Sequence, residues 1–330
     1  MRAAIYARYG PPEVVRVAEV DRPRIGDGDV LVKVHAATVN RTDCGYRAAR
    51  PGVIRIFTGL RRPRRPVLGT EFAGVVEALG DAVTTFAVGD RVFGYNENGG
   101  FGTHAEYVAV RATGMLANIP ANLTFAQAAP ATEGYHYALT ALRTARVEAG
   151  QDVLVYGATG AIGSAAVQIL KIQAVNVTAV CDTANVDVVR ALGADQVVDY
   201  TVRDFTETDQ RYDVVLDAVG KSTFKQCKKL LKPTGTYLST DLGPWLQNLL
   251  LPLVTRVGGG KRVRFPMAPQ PPELMAELRA HLESGRFRPV LDERTYPLDQ
   301  IVDAYRYVES GRKIGNVVLT VGFDQTETLE

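Results

Sequence analysis

The chain has 330 residues, 46% apolar and 22% charged, with 38 Lys and Arg against 36 Asp and Glu, so its net charge of +2 gives no general reason to expect nucleic acid or an anionic membrane as partner. No apolar run approaches the roughly 18 residues of a membrane span, and the closest, 249–254, is broken by Pro252. Cys44, Cys181 and Cys227 are odd in number and far apart, which excludes a disulfide framework, and with a start that lacks the features of a signal peptide they place the protein in a reducing cytoplasm.

Up to Pro120 the chain reads as short strands between Gly, Pro and Asp turns. Strands are expected over 30–36, after the turn Ile25-Gly-Asp-Gly-Asp29, then over 72–79 and 89–94. This spacing implies a small barrel-like β domain. From 124 to 146 the sequence is Ala-rich and suits helices. Beyond Gly150 strand and helix alternate: strand 152–156, helix from Ala161, strand 175–181, helix 186–192, strand 196–199, then strands 214–218 and 236–239. Such alternation implies a parallel sheet covered by helices on both faces, an α/β class with length for two domains. After Pro289 strand and short-helix fragments return, 316–321 forms a final strand, and the residues after Gly322 read as a frayed tail.

The sharpest local signal is Gly157-Ala158-Thr159-Gly160-Ala161-Ile162-Gly163. A phosphate needs backbone N–H donors at close approach, so glycines gather where a buried strand turns into a helix. The apolar run Val153-Leu-Val-Tyr156 precedes the turn, and Ile162, Ala165, Ala166, Ile169 and Leu170 follow at helical spacing. That context favours a pyrophosphate-binding loop over a structural turn. Asp182 stands at the end of the second strand, where a carboxylate accepts the ribose hydroxyls and repels a 2′-phosphate. It argues for NADH over NADPH, although Asp182 can instead cap the helix that begins near Val186, and the choice stays open.

Several motifs in order resemble the medium-chain dehydrogenase/reductase superfamily, in its zinc-independent quinone oxidoreductase (zeta-crystallin-like) branch. They are Asn40-Arg-Thr-Asp43, Leu68-Gly-Thr-Glu-Phe-Ala-Gly-Val-Val76, Val88-Gly-Asp-Arg-Val92, the glycine turn, Leu192-Gly-Ala-Asp195, Asp199-Tyr200, and Tyr296-Pro-Leu298 through Gly315-Asn-Val-Val-Leu319. The resemblance implies a GroES-like β-barrel catalytic domain from 1–121 and 288–330. It also implies a Rossmann nucleotide-binding domain, a doubly wound parallel sheet, over 122–287, with the active site at their junction. Zinc relatives carry Gly-His-Glu where this chain reads Gly69-Thr70-Glu71. Cys44 sits a few residues beyond the usual cysteine ligand, no cysteine lies near Ala131, and three cysteines cannot build the four-cysteine lobe. No metal is therefore expected.

Hydride delivery to a quinone or to the β-carbon of an enone leaves negative charge on oxygen, which calls for a donor and then a proton. The resemblance gives that donor role to Tyr46, against a packing role for its ring. It places Asn40 beside the ribose or a substrate carbonyl, and Asp43 beside Arg47 or Tyr46, with turn capping the stronger role for Asp43. The cofactor set expected from the glycine turn and the resemblance is Gly157, Ala158, Thr159, Gly160, Ala161, Ile162, Gly163, Asp182, Thr183, Tyr200, Val219, Gly220 and Ser239. His35 and His281 read as structural, while His104 and His136 fall nearer the expected cleft segments. Glu133 is an acid–base candidate if partly buried, with an exposed loop carboxylate as the default.

Two features stay outside that scheme. Arg61-Arg-Pro-Arg-Arg65 reads as a solvated loop, against anion contact or weak RNA binding. Pro244-Trp-Leu-Gln-Asn-Leu-Leu-Leu251 either walls a pocket for a lipophilic enone or buries a dimer contact, with Val263-Arg-Phe265 as an edge strand. The expectation is thus a cytoplasmic, homodimeric, zinc-free NAD(P)H oxidoreductase of quinones or enones. An alcohol dehydrogenase on the same scaffold and a weakly catalytic cofactor-binding protein are the alternatives.

Overall fold

Runs of β-branched and small residues bounded by Gly, Pro and Asp turns set the strand pattern of the first 120 residues. In the computed structural model, which describes residues 1–96, 101–256, 260–267 and 271–322, these runs become β1 (Arg2–Tyr6), β2 (Val15–Glu19), β3 (Asp29–Val39), β4 (Glu71–Leu79), β5 (Arg91–Tyr95), β6 (Tyr107–Arg111) and β7 (Met115–Asn118). The tail expected after Gly322 lies outside the described residues. Strand and helix then alternate through β8 (Asp152–Tyr156), β9 (Asn176–Cys181), β10 (Gln196–Asp199), β11 (Tyr212–Asp217), β12 (Leu231–Ser239) and β13 (Arg262–Arg264). The chain closes on β14 (Leu291–Pro297) and β15 (Asn316–Thr320).

Contacts divide the chain into two units, Met1–Glu133 with Gln270–Glu330, and Gly134–Pro269. The first takes in 122–133 and 271–287, which the sequence reading assigned to the nucleotide-binding domain. The reason is packing: the helix Phe125–Ala128 lies against β3 and β4, and the helix Glu273–Glu283 against β7.

In the first unit a seven-stranded sheet runs β14-β15-β3-β4-β5-β7, with β6 also on β3 and β1-β2 as a separate pair. β3 is its spine, antiparallel to β4, β6 and β15. Val30, Val32, Val34, Phe72, Val92, Val317 and Leu319 fill the core, joined by Ile301 and Tyr305 from the helix Ile301–Glu309.

The second unit is one parallel sheet ordered β10-β9-β8-β11-β12-β13. The order runs outward in opposite directions from β8 and β11, so the crevice beyond their carboxyl ends is the topological switch point of an open α/β sheet. Apolar side chains such as Leu154, Val180, Val215 and Tyr237 close its core. The Ala-rich stretch is not one helix: it breaks at Pro130, which takes a 3-10 turn between Phe125–Ala128 and Thr132–Ala145.

Candidate functional site

The glycine turn follows from its backbone. Gly157 leaves β8 at φ +83°, and a Cβ there would meet Val219 Cγ1 at 2.4 Å. Gly160 precedes the helix Ala161–Ile172 as its N-cap, and a Cβ on Gly163 would stand 2.1 Å from the Gly157 carbonyl oxygen. Side chains are thus excluded where the turn is tightest, and the first N–H groups of the helix are presented as donors. This cradle suits a pyrophosphate.

The neighbouring loop is held by Asp217, which sequence reasoning missed. Its Oδ1 accepts the N–H groups of Val219 at 3.1 Å and Gly220 at 2.8 Å. Its Oδ2 accepts the Ser222 N–H at 2.8 Å and hydroxyl at 2.9 Å. An acid closing the apolar run of β11 just before Gly220 was the available signal. Ser239 is buried at the end of β12, where its Oγ accepts the Asp241 N–H at 3.2 Å. Gly157, Val219, Gly220 and Ser239 therefore meet at the carboxyl ends of β8, β11 and β12.

Asp182, Thr183 and Tyr200 occupy the ends of β9 and β10. Asn185 Nδ2 donates to Asp182 Oδ1 at 2.5 Å, so the aspartate organises the turn that precedes the helix Val186–Ala191. The Thr183 hydroxyl donates to Asp199 Oδ2 at 2.6 Å, which with the Thr201 hydroxyl holds that carboxyl below its usual range. Tyr200 is half-exposed and lies edge-on to Tyr156.

The first unit holds the second half of the candidate set. Asn40 caps the helix Arg41–Ala48, and its backbone N–H donates to Asp43 Oδ2 at 2.8 Å. Asp43 thus acts as the capping carboxylate. The Asn40 side chain does more: Nδ2 donates to Glu71 Oε2 at 2.8 Å and also lies 3.1 Å from Thr38 Oγ1 and 3.4 Å from Glu133 Oε2. Its Oδ1 is buried and has no hydrogen-bond partner among the described residues.

Glu133 corrects one expectation. It is buried, at the start of the helix Thr132–Ala145, because Thr42 donates to its Oε1 at 2.7 Å and Thr70 to its Oε2 at 3.1 Å. Glu71 is fully buried beside it. Its Oε1 accepts the N–H groups of Thr132 at 2.9 Å and Glu133 at 2.6 Å, and its Oε2 accepts the Thr38 hydroxyl at 2.8 Å. Burial pushes the Glu71 carboxyl up to about 8, with the Glu133 charge acting the same way and the donated hydrogen bonds opposing it. Lys313 donates to the Gly315 carbonyl, and burial lowers its pKa, opposed first by Glu133. Glu71 and Lys313 were also missed, although an acid opening the apolar run of β4 is visible in the sequence.

Tyr46 is half-buried with its ring edge-on to Phe101, centroids 4.7 Å apart. His104 is buried against the Thr38 carbonyl, 2.7 Å from Nε2, and burial pushes it down to about 4, so it is neutral and structural. His35 stacks on Phe125.

Two family models match: residues 26–121 the alcohol dehydrogenase GroES-like domain, and residues 192–319 zinc-binding dehydrogenase. A 2-methylene-furan-3-one reductase of Solanum lycopersicum is 32% identical over 97% of this chain and 79% of its own. A chloroplastic NADPH-dependent alkenal/one oxidoreductase of Arabidopsis thaliana is 30% identical with the same coverage, 97% and 79%. The solved quinone oxidoreductase from Coxiella burnetii superposes with a TM-score of 0.87 at 27% identity, covering 98% of this chain and 99% of that one. The chain belongs to the medium-chain dehydrogenase/reductase superfamily, among its quinone and enone oxidoreductases.

In this medium-chain dehydrogenase/reductase Thr70 stands where zinc relatives carry a histidine. At the Gly69-Thr70-Glu71 step the Thr70 hydroxyl is spent on Glu133. Burial pushes the Cys44 thiol up to about 12 and those of Cys181 and Cys227 to about 11. Among the described residues no group of three or more His, Cys, Asp or Glu is placed to hold a metal ion.

Proposed function

We propose that this medium-chain dehydrogenase/reductase uses NAD(P)H to reduce quinones or α,β-unsaturated carbonyls without a metal. The observation that carries the reading is the glycine cradle at the switch point of the parallel sheet, where Gly157 and Gly163 leave no room for side chains. The names of the Solanum lycopersicum and Arabidopsis thaliana relatives support a conjugated carbonyl acceptor.

The nicotinamide, when bound, supplies the hydride. The chain's own residues do the rest. The 157–163 turn and the helix after it hold the pyrophosphate, while the loop fixed by Asp217 presents Val219 and Gly220 by their backbone. Asn40, its amide nitrogen committed to Glu71, offers a buried carbonyl oxygen as acceptor for a hydroxyl. The Tyr46 phenol donates to the oxygen that gains charge. Asp182 favours the unphosphorylated ribose, hence NADH, although the Arabidopsis thaliana relative is named for NADPH.

Zinc-independence is supported by Thr70 standing where zinc relatives carry an imidazole, with its hydroxyl committed to Glu133. β13 is an edge strand, which supports a homodimer. A cytoplasmic setting is supported by the three free thiols.

Steady-state assays with NADH and NADPH against quinones, enones and alcohols, with and without a chelator, test this reading. Turnover of conjugated acceptors that survives the chelator is expected. Turnover of alcohols alone, or activity lost on chelation, overturns it.

A further inference from the structure

One charged segment has no part in that chemistry. Between Asp43 and Glu71 the sequence carries no acid but seven arginines. Arg47 is buried and paired with Glu309, while Arg50, Arg55, Arg61, Arg62, Arg64 and Arg65 are exposed. Interleaved with them, Val53, Ile56 and Phe57 stand at i, i+3 and i+4 along the helix Ile54–Thr58 and its N-cap, and Leu60 follows. On a surface helix such a stripe faces the core. Here it faces outward: Phe57 is 75% exposed, Leu60 69%, Ile56 58% and Val53 42%.

The segment is a built turn. The Tyr9 hydroxyl donates to the Gly59 carbonyl at 2.8 Å and lies 2.7 Å from Thr58 Oγ1. The Arg64 N–H returns to the Thr58 carbonyl at 2.8 Å. Gly59 has φ +128°, and a Cβ there would sit 2.1 Å from the Arg62 carbonyl oxygen. The Arg55 guanidinium covers the Tyr9 ring at 5.1 Å. These bonds fix the backbone while leaving the apolar tips uncovered.

We propose that the 50–65 face docks this protein on an anionic lipid bilayer. Phe57, Leu60 and Ile56 enter the headgroup–acyl boundary, and the arginines lie at phosphate depth with their stems along the apolar layer. A nucleic acid backbone would use the arginines but has little use for three exposed aliphatic side chains beside one aromatic ring. The net charge of +2 conceals the patch because acids elsewhere cancel it, although screening confines each charge to about 10 Å. Among the described residues no helix is long and apolar enough to cross a membrane, so the contact is peripheral and reversible.

The inference rests on no part of the redox reading, and its test needs no turnover. The full chain is sedimented with phosphatidylcholine vesicles, either pure or containing about 30 mol % phosphatidylglycerol. Expected is binding at least about tenfold stronger to the anionic vesicles, weakened by about 0.5 M salt. It should be reduced by R61A/R62A/R64A and, at unchanged charge, by F57S/L60S. Circular dichroism and thermal melting confirm that each variant is folded. A blue shift of the new indole in F57W on anionic vesicles reports insertion, against the exposed Trp245 as background. The proposal is overturned by equal binding to both vesicles, by F57S/L60S binding as the parent does, or by capture of an RNA oligomer with no vesicle binding.

Discussion

Asn40 Nδ2 donates to Glu71 Oε2 at 2.8 Å, a bond between two buried side chains on different strand–loop junctions that fixes which end of the amide is left to accept. The carboxyl pair of Glu71 and Glu133 thereby sets the orientation of a residue expected beside the cofactor. With Nδ2 turned toward Glu71, Thr38 and Glu133, Oδ1 is the end of the amide left to accept.

That arrangement makes stability depend on pH. The Glu71 pKa is raised from 4.5 to about 8, so the folded state holds a proton that the unfolded chain releases earlier. The stabilisation is fully present below about pH 4.5 and is lost as pH rises through about 8. Thermal unfolding should show the melting temperature falling across this range. Glu71→Gln should flatten that slope, since the amide has no proton to lose, and cost roughly 1–3 kcal/mol, because its nitrogen accepts nothing and faces N–H or O–H donors on either side. An unchanged slope would place the titration elsewhere.

Gly157→Ala and Gly163→Ala should each weaken NAD(P)H binding by at least about tenfold, read by cofactor fluorescence. The first forces a side chain into φ +83°, and the second pushes a Cβ onto the Gly157 carbonyl. Unaltered affinity in a folded variant would remove the pyrophosphate from this turn.

Asp182→Ser should shift the NADH-to-NADPH affinity ratio by about tenfold toward NADPH, since one carboxylate at the ribose is then gone. Asp199 remains nearby, held by Thr183 and Thr201, so the reversal should be incomplete. A ratio that does not move would leave Asp182 with only its bond from Asn185.

Tyr46→Phe keeps the ring against Phe101 and deletes only the hydroxyl. An oxyanion donor predicts a fall in kcat of about 10- to 100-fold with NAD(P)H affinity unchanged. Equal kcat would make Tyr46 a packing residue.

β8, β9, β10 and β11 were legible because each is a short, largely apolar run that ends at or just before a Gly or Asp. β8 and β10 begin and end where composition places them. β12 starts earlier than expected, at Leu231, because its register on β11 is interrupted and Pro233 and Thr234 do not look like strand. The glycine turn was readable because its requirement is local. The network around Glu71 was not: Thr38 with Asn40, Thr70 and Glu133 come together from three chain segments, and only the folded chain makes them neighbours. Glu133 misled for the same reason, since Thr42 and Thr70, which solvate its carboxylate, lie far upstream.

The position of β15 bears on how the molecule assembles. β15 pairs with β3 over residues 36–39, while β6 pairs with residues 29–33, so the 36–39 end of the central strand stays open until residues 317–320 have been made. The Gly134–Pro269 unit, by contrast, is continuous in sequence and can close around its own core first. Synthesis therefore delivers a unit that can finish early between two segments of an unfinished one, whose edge at residues 36–39 waits unpaired for β15.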